Sequence, residues 1–328
     1  MNIIVTDSYT LNPKDNSWDS ILALGKVVFY DKTEPEQLIT RAKNADILIV
    51  NKTQITGEAF DHLPKLKTIM MSATGYDCVD IEAAGSKGIP VCNVPEYGTD
   101  SVAQHVMSLL LEISNRVGLH DIAVKEGEWT AAKDWSFWKT DLFELKGKIM
   151  GIVGFGKIGR RVGELAHAFG MKIVAHDRVK TIDPDYQPFS WSSSIKDLFK
   201  TADVITLHTP LTEELTGFVN STILRLVKPE AILINAARGG LVNEDDLAMA
   251  LNDGWLKGAA LDTVSIEPIR ANNPLLQAKN TLITPHIAWA TKEARQRMIK
   301  KVAENIKAFL NGSPQNVINT SCLNSPKN

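Results

Sequence analysis

The stretch Lys148-Ile-Met-Gly-Ile-Val-Gly-Phe-Gly-Lys-Ile-Gly159 decides the reading of the chain. Lys148 to Val153 supply a buried strand and Ile158 to Phe169 a helix behind it, so the glycines fall in a strand-turn-helix context. There Gly154 permits a tight turn, Gly156 lets a diphosphate approach the backbone, and Gly159 lets helix and strand pack closely. The amides of Phe155, Gly156, Lys157 and Ile158 then face the diphosphate at a helix N-terminus. A glycine-rich structural turn is the bland reading, and the flanking strand and helix weigh against it. Asp177 ends the next strand, where an acidic side chain accepts hydrogen bonds from the adenosine ribose hydroxyls and repels a 2′-phosphate. A dinucleotide of the NAD(H) type is expected, with NADP(H) less favoured. Arg178 offers either a phosphate contact or a stacking partner for adenine.

On either side of this stretch, short β-rich runs alternate with helical patterns, the signature of βαβ units and parallel sheets. Lys148 to Val153, Met171 to Ala175, Asp203 to Leu207, Ala231 to Ile234, Gly258 to Leu261 and Thr281 to Ile283 give a doubly wound sheet of six strands. An earlier series builds a smaller open sheet: Ile3 to Val5, Lys26 to Phe29, Ile47 to Val50, Thr68 to Met71 and Pro90 to Cys92, with helix candidates such as Pro35 to Lys43 between them. Asp100 to Lys125 reads as one long helix, with Val102, Val106, Leu109, Leu110 and Ile113 on one face, carrying the chain between domains. Thr291 to Leu310 is amphipathic again, with Met298, Val302, Ile306 and Phe309 at helical spacing; if it packs back on the first domain, that domain is discontinuous. The polar tail Asn311 to Asn328 is expected to be loosely ordered. The expected class is α/β, two open parallel-sheet domains. The first spans residues 1–99, a Rossmann dinucleotide-binding domain spans 100–285, and the chain returns to the first over 286–328.

Composition excludes several classes. With 44% hydrophobic residues over 328 positions and a formal net charge of -2, the chain can bury two sizeable cores and has no electrostatic case for nucleic acid or an anionic membrane. No apolar run is long enough to span a bilayer. Met1-Asn2-Ile3-Ile4-Val5 reads as a first strand rather than a signal segment, so the cytoplasm is the expected compartment. Three cysteines, Cys78, Cys92 and Cys322, lack CxxC or metal-ligand spacing. They are expected to stay reduced, Cys78 as a small core residue, and no metal is expected.

Four further motifs follow the glycine loop: Leu207-His-Thr-Pro-Leu-Thr212, Asn235-Ala-Ala-Arg-Gly-Gly240, Ala260-Leu-Asp-Thr-Val-Ser-Ile-Glu-Pro268 and Pro285-His-Ile-Ala-Trp-Ala-Thr291. With Val153-Gly-Phe-Gly-Lys-Ile-Gly159 they resemble the D-isomer-specific 2-hydroxyacid dehydrogenases across nearly the whole chain. Each motif alone is modest, and all of them in family order are highly specific. The resemblance implies a flavodoxin-like substrate domain with the cofactor domain inserted into it, a homodimer, and reversible NAD(P)-linked reduction of a 2-oxo acid. Residue by residue, it places substrate binding on Arg238, proton transfer on His286, and the histidine's carboxylate partner on Glu267. Ala73-Thr-Gly-Tyr-Asp77 with His286-Ile-Ala-Trp-Ala-Thr291 most resembles the glycerate dehydrogenases, also called hydroxypyruvate reductases, in which an Asn commonly stands where this chain has Asp77.

The chemistry of these residues agrees. Reducing a 2-oxo acid needs a hydride donor, a proton donor for the carbonyl oxygen, and a cation that holds carboxylate and carbonyl together. Imidazole titrates near neutrality, which suits His286, and Glu267 supplies the carboxylate beside it. Arg238 offers a planar fork that also stabilises charge developing on oxygen. A core histidine, a surface carboxylate and a surface arginine are the bland readings, outweighed by their joint placement in the motifs. Asp262, at a strand end, is expected to position the nicotinamide carboxamide or to cap a helix. Thr209 and Pro210, with Asn235, Ala236 and Ala237, border the cofactor.

On the substrate side, the amides of Ala73, Thr74 and Gly75 are expected to form an anion nest for the carboxylate, opposite Arg238 in a cleft that closes, with a mere turn as the bland reading. Trp289 narrows the pocket near the histidine. Trp129, Trp135, Phe137 and Trp138 form an aromatic-rich stretch suited either to a dimer interface or to a core loop; Trp135 or Trp138 is expected to approach the partner's active site. The expected reaction is NADH-dependent reduction of hydroxypyruvate to D-glycerate, and of glyoxylate. A broader, D-lactate-like dehydrogenase and a nucleotide-sensing, corepressor-like interaction protein stand as alternatives.

Overall fold

The computed structural model describes residues 1–323. Two compact units make up the chain: Met1–Gly98 together with the chain from Ala290 onward, and Thr99–Trp289.

The first unit holds β1 (Asn2–Val5), β2 (Lys26–Phe29), β3 (Ile47–Val50), β4 (Thr68–Met71) and β5 (Val91–Cys92). All pair in parallel, in the order β2-β1-β3-β4-β5, which is the flavodoxin-like arrangement. β3 and β4 are buried along their whole length. Their runs Ile-Leu-Ile-Val and Thr-Ile-Met-Met therefore lack polar alternation, as a parallel sheet covered on both faces requires. Cys78 packs in this core with Val50, Ile69 and Met71. Burial pushes the thiols of both Cys78 and Cys92 up to about 11, so both behave as small apolar residues rather than nucleophiles.

The helix Lys292–Leu310 also belongs to this unit, with Thr291 accepting the Ala294 N–H at its start. It buries Met298, Val302 and Ile306, and Arg295 grips Asp15 through two 2.6 Å contacts.

The tail departs from its expected looseness. Val317 bridges Cys92 in antiparallel fashion. Asn319 is fully buried: its Oδ1 accepts from Val91 N at 2.9 Å, and its Nδ2 donates to Ile81 O and Ile89 O at 3.2 and 3.0 Å. One asparagine thus satisfies three backbone groups at the edge of β5, a role that a polar composition hides. Residues 324–328 lie outside the described residues.

The second unit holds β6 (Ile149–Val153), β7 (Lys172–His176), β8 (Phe189–Trp191), β9 (Val204–Leu207), β10 (Ile232–Asn235), β11 (Gly258–Leu261) and β12 (Thr281–Ile283). The order is β12-β11-β10-β9-β6-β7-β8, parallel throughout: a doubly wound Rossmann sheet. It has seven strands where six were expected. The extra one, β8, is only Phe-Ser-Trp, too short to show a period, and is held by aromatic packing: Phe155 lies 5.2 Å from the Phe189 ring and 5.5 Å from the Trp191 ring. Alternate residues of the central strands feed two cores. Ile232 and Ile234 join Val102, Val106 and Leu109, whereas Leu233 joins Leu247 and Leu251, so the sheet is covered on both faces.

The single helix expected over 100–125 is two, Thr99–Asn115 and Val117–Lys125, because Arg116 takes a left-handed conformation with φ 49°. The return to the first unit comes at Ala290 rather than at residue 286. Ala288 is buried in the second unit's core, and its N–H donates to Asp262 at 2.8 Å. Among the described residues no helix is long and apolar enough to cross a membrane.

Candidate active site

In the second unit, Val153 pairs with Leu207, Leu207 with Asn235, Asn235 with Leu261, and Leu261 with Ile283. The strands thus end in line, and the loops after them leave from one edge. Between β6 and β9 the strand order reverses, and at such a switch point open parallel sheets bind ligands beyond their carboxyl ends.

The glycine loop opens at that point. Gly154 has φ +90°, and a Cβ there would lie 2.6 Å from the His208 carbonyl carbon and 2.8 Å from Thr209 N. Any side chain would be both strained and blocked. A Cβ on Gly159 would lie 2.1 Å from Gly154 O, so this glycine lets the helix Lys157–Ala168 start against the strand. Gly156 differs: a Cβ would meet nothing within 4 Å. Protein packing does not demand that glycine, whereas a phosphate lying on the backbone does. The helix receives no side-chain hydrogen bond at its N-cap. Loop and helix start therefore fit a dinucleotide diphosphate. Thr209 and Pro210 continue from the His208 backbone that abuts Gly154, and Ala236 and Ala237 follow the adjacent β10.

Phe155 corrects one expectation. Its N–H donates to Asp177 Oδ2 at 2.7 Å and its ring is buried, so its amide points to the carboxylate at the end of β7. Asp177 thereby fixes the loop from the end of β7, with Arg178 beside it in sequence.

Arg238 is set by Asn235, which is fully buried. The Asn235 side chain donates to Arg238 O at 2.8 Å and accepts from Ala237 N at 3.0 Å, and Arg238 Nη1 donates to Ala237 O at 2.9 Å. The next residue, Gly239, leaves no room for a Cβ, which would come within 1.9 Å of the Val264 carbonyl carbon. The turn that presents Arg238 therefore rests directly on the loop that leads to Glu267. Glu244 tightens that loop, accepting Ser265 N at 2.6 Å and Ser265 Oγ at 2.8 Å.

His286 Nδ1 lies 2.7 Å from Glu267 Oε2. The histidine has φ +54°, a conformation that costs a non-glycine residue about 1–3 kcal/mol and persists only where its surroundings dictate it. Those surroundings are Asp262. Its carbonyl accepts the His286 N–H at 2.8 Å, its Oδ1 accepts from Thr284 Oγ1 at 2.6 Å and Ile287 N at 2.9 Å, and its Oδ2 accepts from Ala288 N at 2.8 Å. Burial raises the Asp262 carboxyl, but hydrogen bonds from His105, Thr284, Ala288 and Ile287 outweigh it and hold the group below the usual carboxylate range. Asp262 was expected to position a carboxamide or cap a helix; in the structure its carboxylate also holds the turn that carries His286.

A family model described as the D-isomer specific 2-hydroxyacid dehydrogenase, NAD binding domain, matches residues 107–288, more than half of the chain. The chain belongs to the D-isomer-specific 2-hydroxyacid dehydrogenases. It is 45% identical to a hydroxypyruvate reductase of Blautia hydrogenotrophica, over 97% of this chain and 100% of that protein. It is 36% identical to a glycerate dehydrogenase of Methylorubrum extorquens, over 88% of this chain and 90% of the relative. The fold is similar to that of D-lactate dehydrogenase from Aquifex aeolicus, crystallised with NAD and lactic acid, with a TM-score of 0.82 and 27% identity over 95% of this chain and 96% of the other.

In this dehydrogenase Arg238, Glu267 and His286 lie in one unit with the glycine loop. Ala73, Thr74 and Gly75 lie in the other, after β4, where Thr74 Oγ1 donates to Val94 O at 2.8 Å and Asn93 Nδ2 donates to Thr74 O at 2.8 Å. Trp289 is half-buried and follows the buried Ala288. Trp129, Trp135 and Trp138 are 53%, 84% and 69% exposed, so the aromatic stretch is no core loop of this chain. Asn235 was expected to border the cofactor and proves to hold the Arg238 turn, while Glu244 and His105 were missed as site residues. His105 carried a usable signal: it stands on the helix stripe between Val102 and Leu109, where a polar residue among apolar ones needs a partner.

Proposed function

We propose that this dehydrogenase reduces hydroxypyruvate to D-glycerate, and glyoxylate to glycolate, with NADH. The observation that carries the reading is the 2.7 Å contact between His286 Nδ1 and Glu267 Oε2, in the unit whose glycine loop fits a diphosphate. The Blautia and Methylorubrum relatives, named for hydroxypyruvate and glycerate, support the substrate.

With Nδ1 held by Glu267, His286 Nε2 carries the transferable proton and delivers it to the substrate's carbonyl oxygen. Arg238 binds carboxylate and carbonyl together and stabilises the negative charge growing on that oxygen. In the first unit, the amides of Ala73, Thr74 and Gly75 are assigned a carboxylate. Gly156, Lys157 and Ile158 hold the diphosphate, Asp177 the ribose, and Thr209, Pro210, Ala236 and Ala237 flank the rest. A bound nicotinamide cofactor supplies the hydride. Asp177 favours NADH, because a 2′-phosphate would meet its carboxylate. With NADH, turnover across hydroxypyruvate, glyoxylate, pyruvate and phosphohydroxypyruvate is expected to be highest for the first, and kcat/KM with NADPH at least about tenfold lower. Pyruvate preference would change the substrate, and equal use of NADPH would remove the role given to Asp177.

A second copy of the chain is assigned to the segment that exposes Trp129, Trp135 and Trp138, after a helix that exposes Val117 and Ile122 at 64% and 55%. Replacing both Trp135 and Trp138 with alanine is expected to shift the mass seen by light scattering from dimer to monomer; an unchanged dimer removes the assignment. Three cysteines outside any disulfide, two of them buried, suit the cytoplasm, which cell fractionation checks.

A further inference from the structure

His105 sits on the helix Thr99–Asn115 with its side chain 18% exposed, and its Nε2 lies 3.3 Å from Asp262 Oδ1 and 3.1 Å from Thr284 Oγ1. Asp262 is 1% exposed and, as a carboxylate, only accepts. Thr284 already gives its hydroxyl proton to that carboxylate. Nε2 must therefore carry the proton and donate into the pair, which assigns the His105 tautomer. The chain from Thr284 to Ala288 hangs on the same carboxylate through three donors, Thr284 Oγ1, Ile287 N and Ala288 N. His286 stands in the middle of that span in its left-handed conformation.

We propose that His105 is a positioning residue for proton transfer: through Asp262 and Thr284 it fixes the turn from which His286 meets the substrate. The proposal rests on the reading of His286 as the proton donor. His105 itself touches neither substrate nor cofactor in this account. Its effect comes from geometry, since a displacement of about 1 Å in a reacting group costs on the order of 10²-fold in rate.

Three variants test it. His105→Leu fills the helix stripe but removes the donor. It is expected to lower kcat for the 2-oxo acid by about 10- to 100-fold while KM for NADH and for the oxo acid stays within about twofold. His105→Gln, whose side-chain N–H reaches about as far as Nε2–H, is expected to restore kcat to within about threefold of the parent. Thr284→Val keeps the volume, removes the other side-chain donor, and is expected to lower kcat without changing KM. It carries the test if the leucine variant does not fold. Normal kcat in a folded His105→Leu, or in Thr284→Val where the leucine variant does not fold, overturns the proposal. So does a His105→Gln enzyme as slow as the leucine variant, or a loss of kcat matched by an equal rise in both KM values, which marks a merely structural role. His286→Ala, assayed alongside, separates the two ideas. Full activity there removes the proton-donor reading itself, whereas a slow His286→Ala with a normal His105→Leu removes only the role of His105.

Discussion

Replacing His286 with alanine is expected to lower reductive kcat by roughly 10²- to 10⁴-fold, the contribution typical of a positioned general acid. NADH binding, followed by nucleotide fluorescence, is expected to stay near that of the parent. The size of the effect follows from how the residue is held. Nδ1 is tied to Glu267 Oε2 at 2.7 Å, and the backbone is kept at φ +54° by Asp262 and its partners. That arrangement aims one ring atom at one place. Alanine also suits the turn poorly, so a thermal melt should accompany the assay, and His286→Asn, which tolerates the left-handed region better, provides the check. Near-normal turnover in a folded variant would contradict the assignment.

Arg238→Gln is expected to lower kcat/KM by about 10²- to 10³-fold, in line with the loss of a donor aimed at a developing oxyanion. Both parameters should suffer if, as proposed, the guanidinium binds the ground-state carboxylate as well as the charge that grows on the carbonyl oxygen. The Asn235 side chain, bonded to Arg238 O and Ala237 N, fixes the backbone of the turn that carries the fork. Arg238→Lys, a point charge without the fork, is therefore expected to recover only part of the loss. A glutamine variant with unchanged KM and kcat within about threefold would remove Arg238 from substrate binding.

The parts of this molecule legible in the sequence are those where one residue type answers one physical demand. Gly154 must take a positive φ against the His208 backbone, and Gly159 must admit Gly154 O within 2.1 Å of where its Cβ would be; both show as glycines. β3, and β10 up to Asn235, are buried on both faces and show as apolar runs. The parts that stayed hidden depend on partners far along the chain. Asn319 completes the edge of β5 from more than 220 positions away. Asp262 serves a turn 25 positions later, so its local setting at a strand end suggested a cofactor contact. The Phe155 amide goes to Asp177 because β6 and β7 are neighbours in the sheet, and a loop motif read alone sends every amide toward the ligand. β8 and the break at Arg116 fail for a different reason: three residues are too few for a period, and a left-handed residue leaves an amphipathic pattern almost intact on either side.

Reduction of hydroxypyruvate to D-glycerate is tested most directly by the product that the purified protein forms from hydroxypyruvate and NADH, resolved by chiral chromatography while NADH oxidation is followed by absorbance. D-glycerate formed in step with the NADH consumed is the predicted result. L-glycerate, or no NADH oxidation with either hydroxypyruvate or glyoxylate, would contradict it.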